Sequence, residues 1–185
     1  MGNCVVRAAT EYDLGEITRI YGQYVLHSCS TFELEPPPRE EMARRRAEVV
    51  CLGLPYLAAE LNGNVVGFAY AGAYRPRGAY RYTVEDSIYV EAGHLGQGLG
   101  HALLASVIAH CEQGDWRQMI AVIGDSGNAA SIGLHQRLGF RPVGTLTAVG
   151  FKFGRWVDSV LMQRELHAES PLRATETISN VHSNQ

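Results

Sequence analysis

The fold is decided by the stretch SIYVEAGHLGQGLG, residues 87–100. Residues 87–90 are rich in β-branched and aromatic side chains and predict the end of a strand. Glycines follow at positions 96, 98 and 100, and apolar residues recur every three to four positions from Leu99 onward, which predicts a helix. Because glycines remove side-chain bulk, successive backbone N–H groups can face an anion at the positive end of that helix. The loop therefore predicts a site for phosphate, with diphosphate as the expected group.

Two better-known phosphate motifs do not fit this loop. A dinucleotide fingerprint needs a third glycine three residues after the second, and that place holds His101 or Leu103, depending on where the count begins. A nucleoside triphosphate loop needs Gly-Lys-Ser/Thr, and this segment has no lysine. A glycine-rich turn that only reverses the chain remains an alternative on the loop alone.

The rest of the chain supplies alternating strand and helix patterns around the loop. A first helix is predicted to begin at the capping signal of Thr10 and Asp13. Further helices are predicted over residues 39–50, 99–110 and 128–138. Strands are predicted at 5–8, 56–61, 65–74, 80–90, 119–123, 141–151 and 156–164. A strand–helix–strand succession favours parallel pairing, so the order β-α-α-β-β-β-α-β-α-β-β predicts an α/β protein with a mixed sheet and helices on both faces.

Length and composition narrow the class of protein. The 185 residues predict one domain, 1–166, followed by a polar tail, 167–185, that we expect to be mobile. A net charge of −3 argues against nucleic acid or an anionic membrane as the main partner, since both need a basic face. The four cysteines are too far apart for a zinc site or a disulfide framework, so we expect reduced thiols in the cytoplasm.

Several motifs resemble the GNAT superfamily of N-acetyltransferases. They are the strand at 87–90, the glycine loop, NAAS at 128–131 and LGF at 138–140. Further stretches resemble the phosphinothricin and methionine sulfoximine N-acetyltransferase branch: YAG at 70–72, YTVE at 82–85, AVIG at 121–124 and LH at 134–135. The resemblance covers about residues 3–166. It implies a splayed mixed sheet, acetyl-CoA as acetyl donor without a metal, direct transfer to the α-amino group of a small amino-acid analogue, and a homodimer.

The resemblance also implies which residues bind acetyl-CoA. The main chain of Ile88, Tyr89 and Val90 would pair with the pantetheine arm, and the amide of Asn128 would hydrogen-bond the cofactor. The diphosphate would lie on Gly96, Gln97, Gly98, Leu99, Gly100 and His101. Leu95 stands where the family loop usually has Arg or Gln; main-chain amides supply most of the phosphate contacts, so we expect the same cofactor.

Glu85 matches the family's proposed general base. An amine attacks only when it is deprotonated, so an ammonium substrate needs a base, direct or through water. Strand alternation places Glu85 and Asp86 on opposite faces, but a β-bulge would exchange them, so Asp86 remains a competitor for this role. The structural alternative for Glu85 is a solvated or ion-paired strand carboxylate.

His135 lies seven residues after Asn128, on nearly the same helix face. The resemblance makes it the proton donor to the departing thiolate, a role that suits an imidazole. The alternative is a histidine packed between helix and sheet. A backbone N–H near Val90 is expected to stabilise the tetrahedral oxyanion.

Acceptor recognition is assigned to two arginines and one aromatic residue. Arg75 and Arg77 match basic positions that the family uses for its anionic substrate, and guanidinium groups suit a carboxylate or phosphinate. A solvated loop pair is the alternative. Phe32 resembles a pocket aromatic of the family, with ordinary core packing as the alternative. A peptide N-terminus or a polyamine as acceptor, or a non-catalytic coenzyme A-binding module, are the competing functions.

Overall fold

The computed structural model describes residues 4–167, and within them seven strands and four helices follow the predicted order. The strands are β1 Cys4–Ala8, β2 Tyr56–Leu61, β3 Asn64–Ala73, β4 Thr83–Val90, β5 Gln118–Gly124, β6 Arg141–Lys152 and β7 Arg155–Glu165. The helices are α1 Leu14–His27, α2 Arg39–Cys51, α3 Leu99–Cys111 and α4 Ala129–Arg137. Apart from His167, the predicted tail lies outside the described residues. None of the helices in the described range is long and apolar enough to cross a membrane.

The strands form one mixed sheet with the order β1-β2-β3-β4-β5-β7-β6. All neighbouring strands are antiparallel except β4 and β5, whose parallel pairing runs from Thr83↔Gln118 to Asp86↔Ala121. Both strands continue beyond that last pair, β4 through residue 90 and β5 through residue 124, without pairing to each other. The centre of the sheet is therefore splayed, and the predicted mixed, splayed architecture is confirmed.

Helices cover both faces of the sheet. On one face, Tyr89 of β4 packs edge-on against Tyr21 of α1, with ring centroids 5.0 Å apart. On the other face, α3 packs so closely that a Cβ at Gly67 of β3 would lie 3.2 Å from the side chain of Leu103. Leu103 is fully buried there. The two apolar layers fix β4 from both sides, and the splay then opens at its carboxyl end.

Candidate functional site

A groove of about 650 Å³ opens between the separated ends of β4 and β5. The predicted cofactor-binding residues that line it are Ile88, Tyr89, Val90, Gly96, Gly98, Leu99, Gly100, His101 and Asn128, and His135 lines it as well. Gln97 instead turns its side-chain amide toward the Gly93 carbonyl, at 3.4 Å. The structure thus brings segments from β4, the glycine loop and α4 to one cleft.

The glycine loop has the geometry of an anion cradle. Gly96 and Gly98 have φ values of +74° and +82°, a left-handed conformation that a side chain would strain. A Cβ at either position would meet nothing within 4 Å, so the backbone is open to a ligand. Gly98 directly precedes α3, whose first-turn N–H groups lack intrahelical partners and face the positive end of the helix dipole. These features fit a diphosphate bound mainly by main-chain amides.

Two predicted cofactor contacts already have partners within the protein. The Val90 N–H donates to the hydroxyl of Tyr24 at 3.2 Å, and that hydroxyl donates to the Val90 carbonyl at 2.6 Å. Asn128 caps α4: its side-chain oxygen accepts the Ser131 N–H at 3.2 Å, and its amide lies 3.4 Å from the Ser30 hydroxyl. An oxyanion contact at Val90 therefore requires the Tyr24 hydroxyl to give up that N–H.

His135 and Asp86 form a buried pair in the lining of the groove. His135 Nε2 lies 3.0 Å from Asp86 Oδ2, and both side chains are only 2% exposed. The other ring nitrogen, Nδ1, lies 2.8 Å from the carbonyl oxygen of Ser131. Burial by itself lowers the pKa of His135, but the hydrogen bond and charge of Asp86 and the Ser131 carbonyl outweigh it and raise the pKa above 6.5.

Glu85 lies on the opposite face of β4 from this pair. The β3–β4 register runs without a bulge through Gly72↔Glu85 and Ala71↔Asp86, so the two carboxylates alternate as adjacent strand residues do. Burial and the nearby Asp86 raise the pKa of Glu85 to about 7, while the charge of Arg75 opposes them. A half-buried carboxyl group with such a pKa is suited to accept a proton near neutrality.

The face that carries Glu85 is rich in aromatic side chains. The ring of Tyr70 stacks on that of Tyr56 at 5.0 Å, and Phe68 stacks on Tyr89 at the same centroid distance. Burial raises the pKa of Tyr70, and Glu85 adds to that increase. The charged form of Glu85 is disfavoured on this face by burial and by the charge of Asp86.

The three predicted acceptor-binding residues lie in two loops, Arg75 and Arg77 after β3 and Phe32 after α1. Arg75 is exposed just after β3, with its guanidinium 4.9 Å from the Tyr74 ring centroid, and acts on Glu85 through its charge. Arg77 is exposed at the start of the short 3-10 turn Gly78–Tyr80. Phe32 is 41% exposed and packs so tightly over Gly150 that a Cβ there would lie 2.5 Å from its ring.

A buried lysine holds the loop that carries Phe32. Lys152, at the end of β6, is 3% exposed and donates to the carbonyl oxygens of Ser28 and Thr31, each at 2.8 Å. Burial lowers the pKa of Lys152. The contacts connect residues 121 and 124 positions apart, so they fix the loop after α1 against the far end of the sheet.

Sequence reasoning missed Tyr24, Lys152 and the partnership of Asp86 with His135. Tyr24 falls in the apolar stripe of α1, and Lys152 follows an aromatic residue in a strand, so neither pattern indicates a site. The segment AVIG, residues 121–124, also lines the groove. That position follows from the parallel pairing of β4 and β5, and the pairing itself was predictable.

Comparison with known proteins gives consistent matches. A model of the acetyltransferase (GNAT) family matches residues 20–140. The chain is 54% identical over 165 residues to phosphinothricin N-acetyltransferase of Alcaligenes faecalis, spanning 89% of this chain and 84% of that protein. It is 39% identical over 161 residues to L-methionine sulfoximine/L-methionine sulfone acetyltransferase of Salmonella typhimurium, spanning 87% and 94%. A crystal structure of a phosphinothricin acetyltransferase from Sinorhizobium meliloti in complex with AcCoA superposes with a TM-score of 0.87 at 42% identity, covering 97% of this chain and 99% of that one.

Proposed function

The chain belongs to the GNAT acetyltransferase family, and on that premise we propose that it transfers the acetyl group of acetyl-CoA to the α-amino group of a small amino-acid analogue. Phosphinothricin and methionine sulfoximine or sulfone are the expected acceptors, because relatives named for them are 54% and 39% identical. One observation carries the proposal: the splayed end of β4 borders a groove that fits the donor, and Glu85 on the same strand has a pKa of about 7.

Donor binding uses main-chain groups at both ends of the groove. The amides of residues 96–101 and the first turn of α3 face the diphosphate of acetyl-CoA. The main chain of residues 88–90, which β5 leaves unpaired, borders the pantetheine arm. The thioester then lies at the splay, close to both faces of β4.

Glu85 is the proposed general base in direct transfer. Its carboxylate takes a proton from the substrate ammonium, directly or through one water molecule, and the freed lone pair attacks the thioester carbon. The tetrahedral intermediate collapses as the C–S bond breaks, and its electron pair stays on sulfur. His135 supplies the proton that converts the thiolate to coenzyme A. The products are the N-acetyl amino acid and the free thiol.

Acceptor binding is assigned to Arg75, Arg77 and Phe32. The two guanidinium groups offer paired N–H donors to the anionic groups of an amino-acid analogue. Phe32, held by the Lys152 contacts, supplies an apolar wall beside the sheet. The cations also disfavour a polyamine, which needs an acidic pocket.

An amine panel with acetyl-CoA, monitored by thiol release, tests the function. It should include phosphinothricin, methionine sulfoximine, methionine sulfone, spermidine and a short peptide. We expect turnover on the first three, with intersecting initial-rate lines. Turnover only on the peptide or spermidine would replace the acceptor, and coenzyme A binding without turnover on any amine would indicate a binding module.

We also propose that the protein is a homodimer formed through β6 and β7. Strand β6 is an edge of the sheet and is exposed along most of its length. The exposed large apolar residues of this region are Val143, Leu146, Val149, Phe151, Phe153 and Trp156. A surface of this kind is typical of an interface between subunits. Light scattering on the protein and on Val149→Lys tests it: a dimer that the substitution dissociates is expected, and an unmodified monomer would contradict it.

The cytoplasm is the proposed compartment. The four cysteines are free thiols, and Cys4 and Cys51 are exposed. Exposed thiols persist most readily in a reducing compartment. Fractionation of cells that produce the protein should place it with cytoplasmic markers, and recovery with secreted proteins would contradict this assignment.

A further inference from the structure

The protonation of His135 follows from the atoms that face its ring. Two oxygens of Ser131 face Nδ1: the carbonyl at 2.8 Å, which can only accept, and the hydroxyl at 3.5 Å. The shorter contact to the carbonyl indicates a proton on Nδ1. The 3.0 Å contact between Nε2 and Asp86 Oδ2 requires a second proton between those two atoms. With both side chains withdrawn from water, the pair holds one more proton than a neutral imidazole beside an ionised carboxylate. The pair is therefore a proton donor rather than a base.

We propose that Asp86 acts with His135 as one acid: it orients the imidazole and keeps it doubly protonated, so that the pair, and not the histidine alone, holds the proton taken by the departing thiolate. This inference rests on the proposed function and deepens it. When the C–S bond breaks, sulfur keeps the electron pair and takes the proton held between Nε2 and Oδ2. A neutral imidazole and an ionised carboxylate remain, and solvent returns one proton to them.

The second oxygen of Asp86 supports a contact with the thiol end of the donor. Asp86 Oδ1 is buried, has no hydrogen-bond partner among residues 4–167, and belongs to a residue that lines the groove. A buried acceptor without a partner is costly, so it is available to a donor group on the ligand. The S–H of newly formed coenzyme A is such a donor, whereas the thioester of acetyl-CoA has none. Asp86 should therefore favour the product over the donor substrate.

Within residues 4–167, the titratable groups whose pKa responds to Asp86 could not replace its charge. The neighbouring titratable groups are Glu85 on β4 and Cys111 on α3, and the charge of Asp86 raises the pKa of both. Neither is a cation. The Phe140 ring packs edge-on against the imidazole at 5.0 Å and supplies no charge. Removing the Asp86 charge should therefore leave the imidazolium uncompensated.

A double-mutant cycle tests the coupling. Asp86→Asn keeps the shape and removes the charge, so the basic limb of the kcat profile should move to lower pH by about one unit or more, with kcat at pH 8.5 falling about tenfold. In the His135→Gln background, the same change should alter kcat by less than about twofold. The proposal would be overturned if the losses of kcat from the two substitutions multiplied independently. It would also be overturned if Asp86→Asn did not move the basic limb of the kcat profile. Asp115→Asn, an exposed carboxylate outside the groove, is the matched control.

Two binding and spectroscopic measurements need no turnover. Calorimetry should show that Asp86→Asn weakens the binding of coenzyme A more than the binding of acetyl-CoA or desulfo-coenzyme A. An equal loss of affinity for all three ligands would contradict the thiol contact. In the unaltered protein, ¹⁵N spectra should show His135 protonated on both nitrogens above pH 6.5, the ordinary value. A neutral ring at that pH would overturn the proposal even if the variants fail to fold. A doubly protonated ring without turnover on any amine would count against the proposed function only.

Discussion

Glu85 and Asp86 are neighbours in the chain, but the two faces of β4 give them opposite environments. On one face, Asp86 has the buried imidazole of His135 3.0 Å away. On the other face, burial and the charge of Asp86 raise the pKa of Glu85 to about 7, with the exposed Arg75 as its opposing charge. Burial alone therefore does not set the role of a carboxylate; the presence of a positive partner within hydrogen-bond distance does.

In the proposed mechanism, this contrast separates the two proton transfers of the reaction. A carboxylate with a raised pKa and no direct cation is ready to accept a proton on the acceptor side. A carboxylate–imidazole pair that already holds its proton is ready to give one on the donor side. The strand between them keeps the two groups apart, so neither neutralises the other.

The largest expected effect comes from a substitution on the acceptor face, the face of β4 that carries Glu85. Glu85→Gln removes the base while keeping the size of the side chain, so kcat should fall by about 10²- to 10⁴-fold. The affinity for acetyl-CoA, measured by calorimetry, should change by less than about twofold because Glu85 does not line the groove. The exposed Glu165→Gln is a control for loss of a carboxylate. Equal losses in kcat and affinity, or none in either, would remove Glu85 from its role.

A substitution in the glycine loop should instead affect the binding of coenzyme A. Gly98→Val forces a β-branched residue to a φ of +82° and fills the cradle, so the Kd of coenzyme A should rise at least about tenfold. The pH at which kcat rises should not change. Gly63→Val is matched, with a φ of +84° in the β2–β3 turn, and should lose stability without losing affinity. Similar Kd values for the two variants would contradict the anion cradle.

The acceptor face should also depend on the loop contacts of Lys152. Lys152→Met leaves the carbonyls of Ser28 and Thr31 without their buried donor, so the free energy of unfolding should fall by about 1–3 kcal/mol. The KM of the acceptor should rise about fivefold through displacement of Phe32. Denaturant titration and acceptor kinetics measure the two effects. An unchanged KM would show that the loop does not shape the acceptor site.

The smallest expected effect is a shift in the pH dependence of kcat/KM. Because the base must be deprotonated, kcat/KM should rise with pH through an apparent pKa near 7, the value for Glu85. Arg75→Ala removes the charge that opposes this increase, so the rise should move to higher pH by less than about one unit. Arg77→Ala should leave the profile in place and raise the KM of an anionic acceptor. A shift of the pH profile in both variants, or in neither, would contradict the assignment of Arg75 as the charge that acts on Glu85 and of Arg77 as a residue that only binds the acceptor.

The sequence was sufficient for the element order and for the position of the glycine loop before α3. Hydrophobic periodicity placed the helices and strands, and the glycine spacing placed the cradle next to α3. The GNAT resemblance read from these motifs is confirmed by the family match over residues 20–140. These features are local, because each is written in consecutive residues and in the backbone conformations that glycine permits.

The contacts that set proton positions could not be read in the same way. The Asp86–His135 pair joins residues 49 apart, and the Tyr24–Val90 contact joins residues 66 apart. Alternation indicated that Asp86 shares a face with Ile88, but not which side chain of α4 would meet it. Such pairings depend on how helices pack on the sheet, which periodicity leaves undetermined.

Only the pairs from Thr83↔Gln118 to Asp86↔Ala121 join β4 to β5, so the half-sheet β1–β4 meets the half-sheet β5–β7 along a short seam. Acetyl-CoA bound in the groove occupies the position between β4 and β5 that a neighbouring strand would fill elsewhere in the sheet. The bound cofactor should therefore bridge the two half-sheets. Ligand loading should accordingly raise the melting temperature in proportion to the logarithm of its concentration above Kd. The groove and the short seam between the two half-sheets therefore lie at the same place.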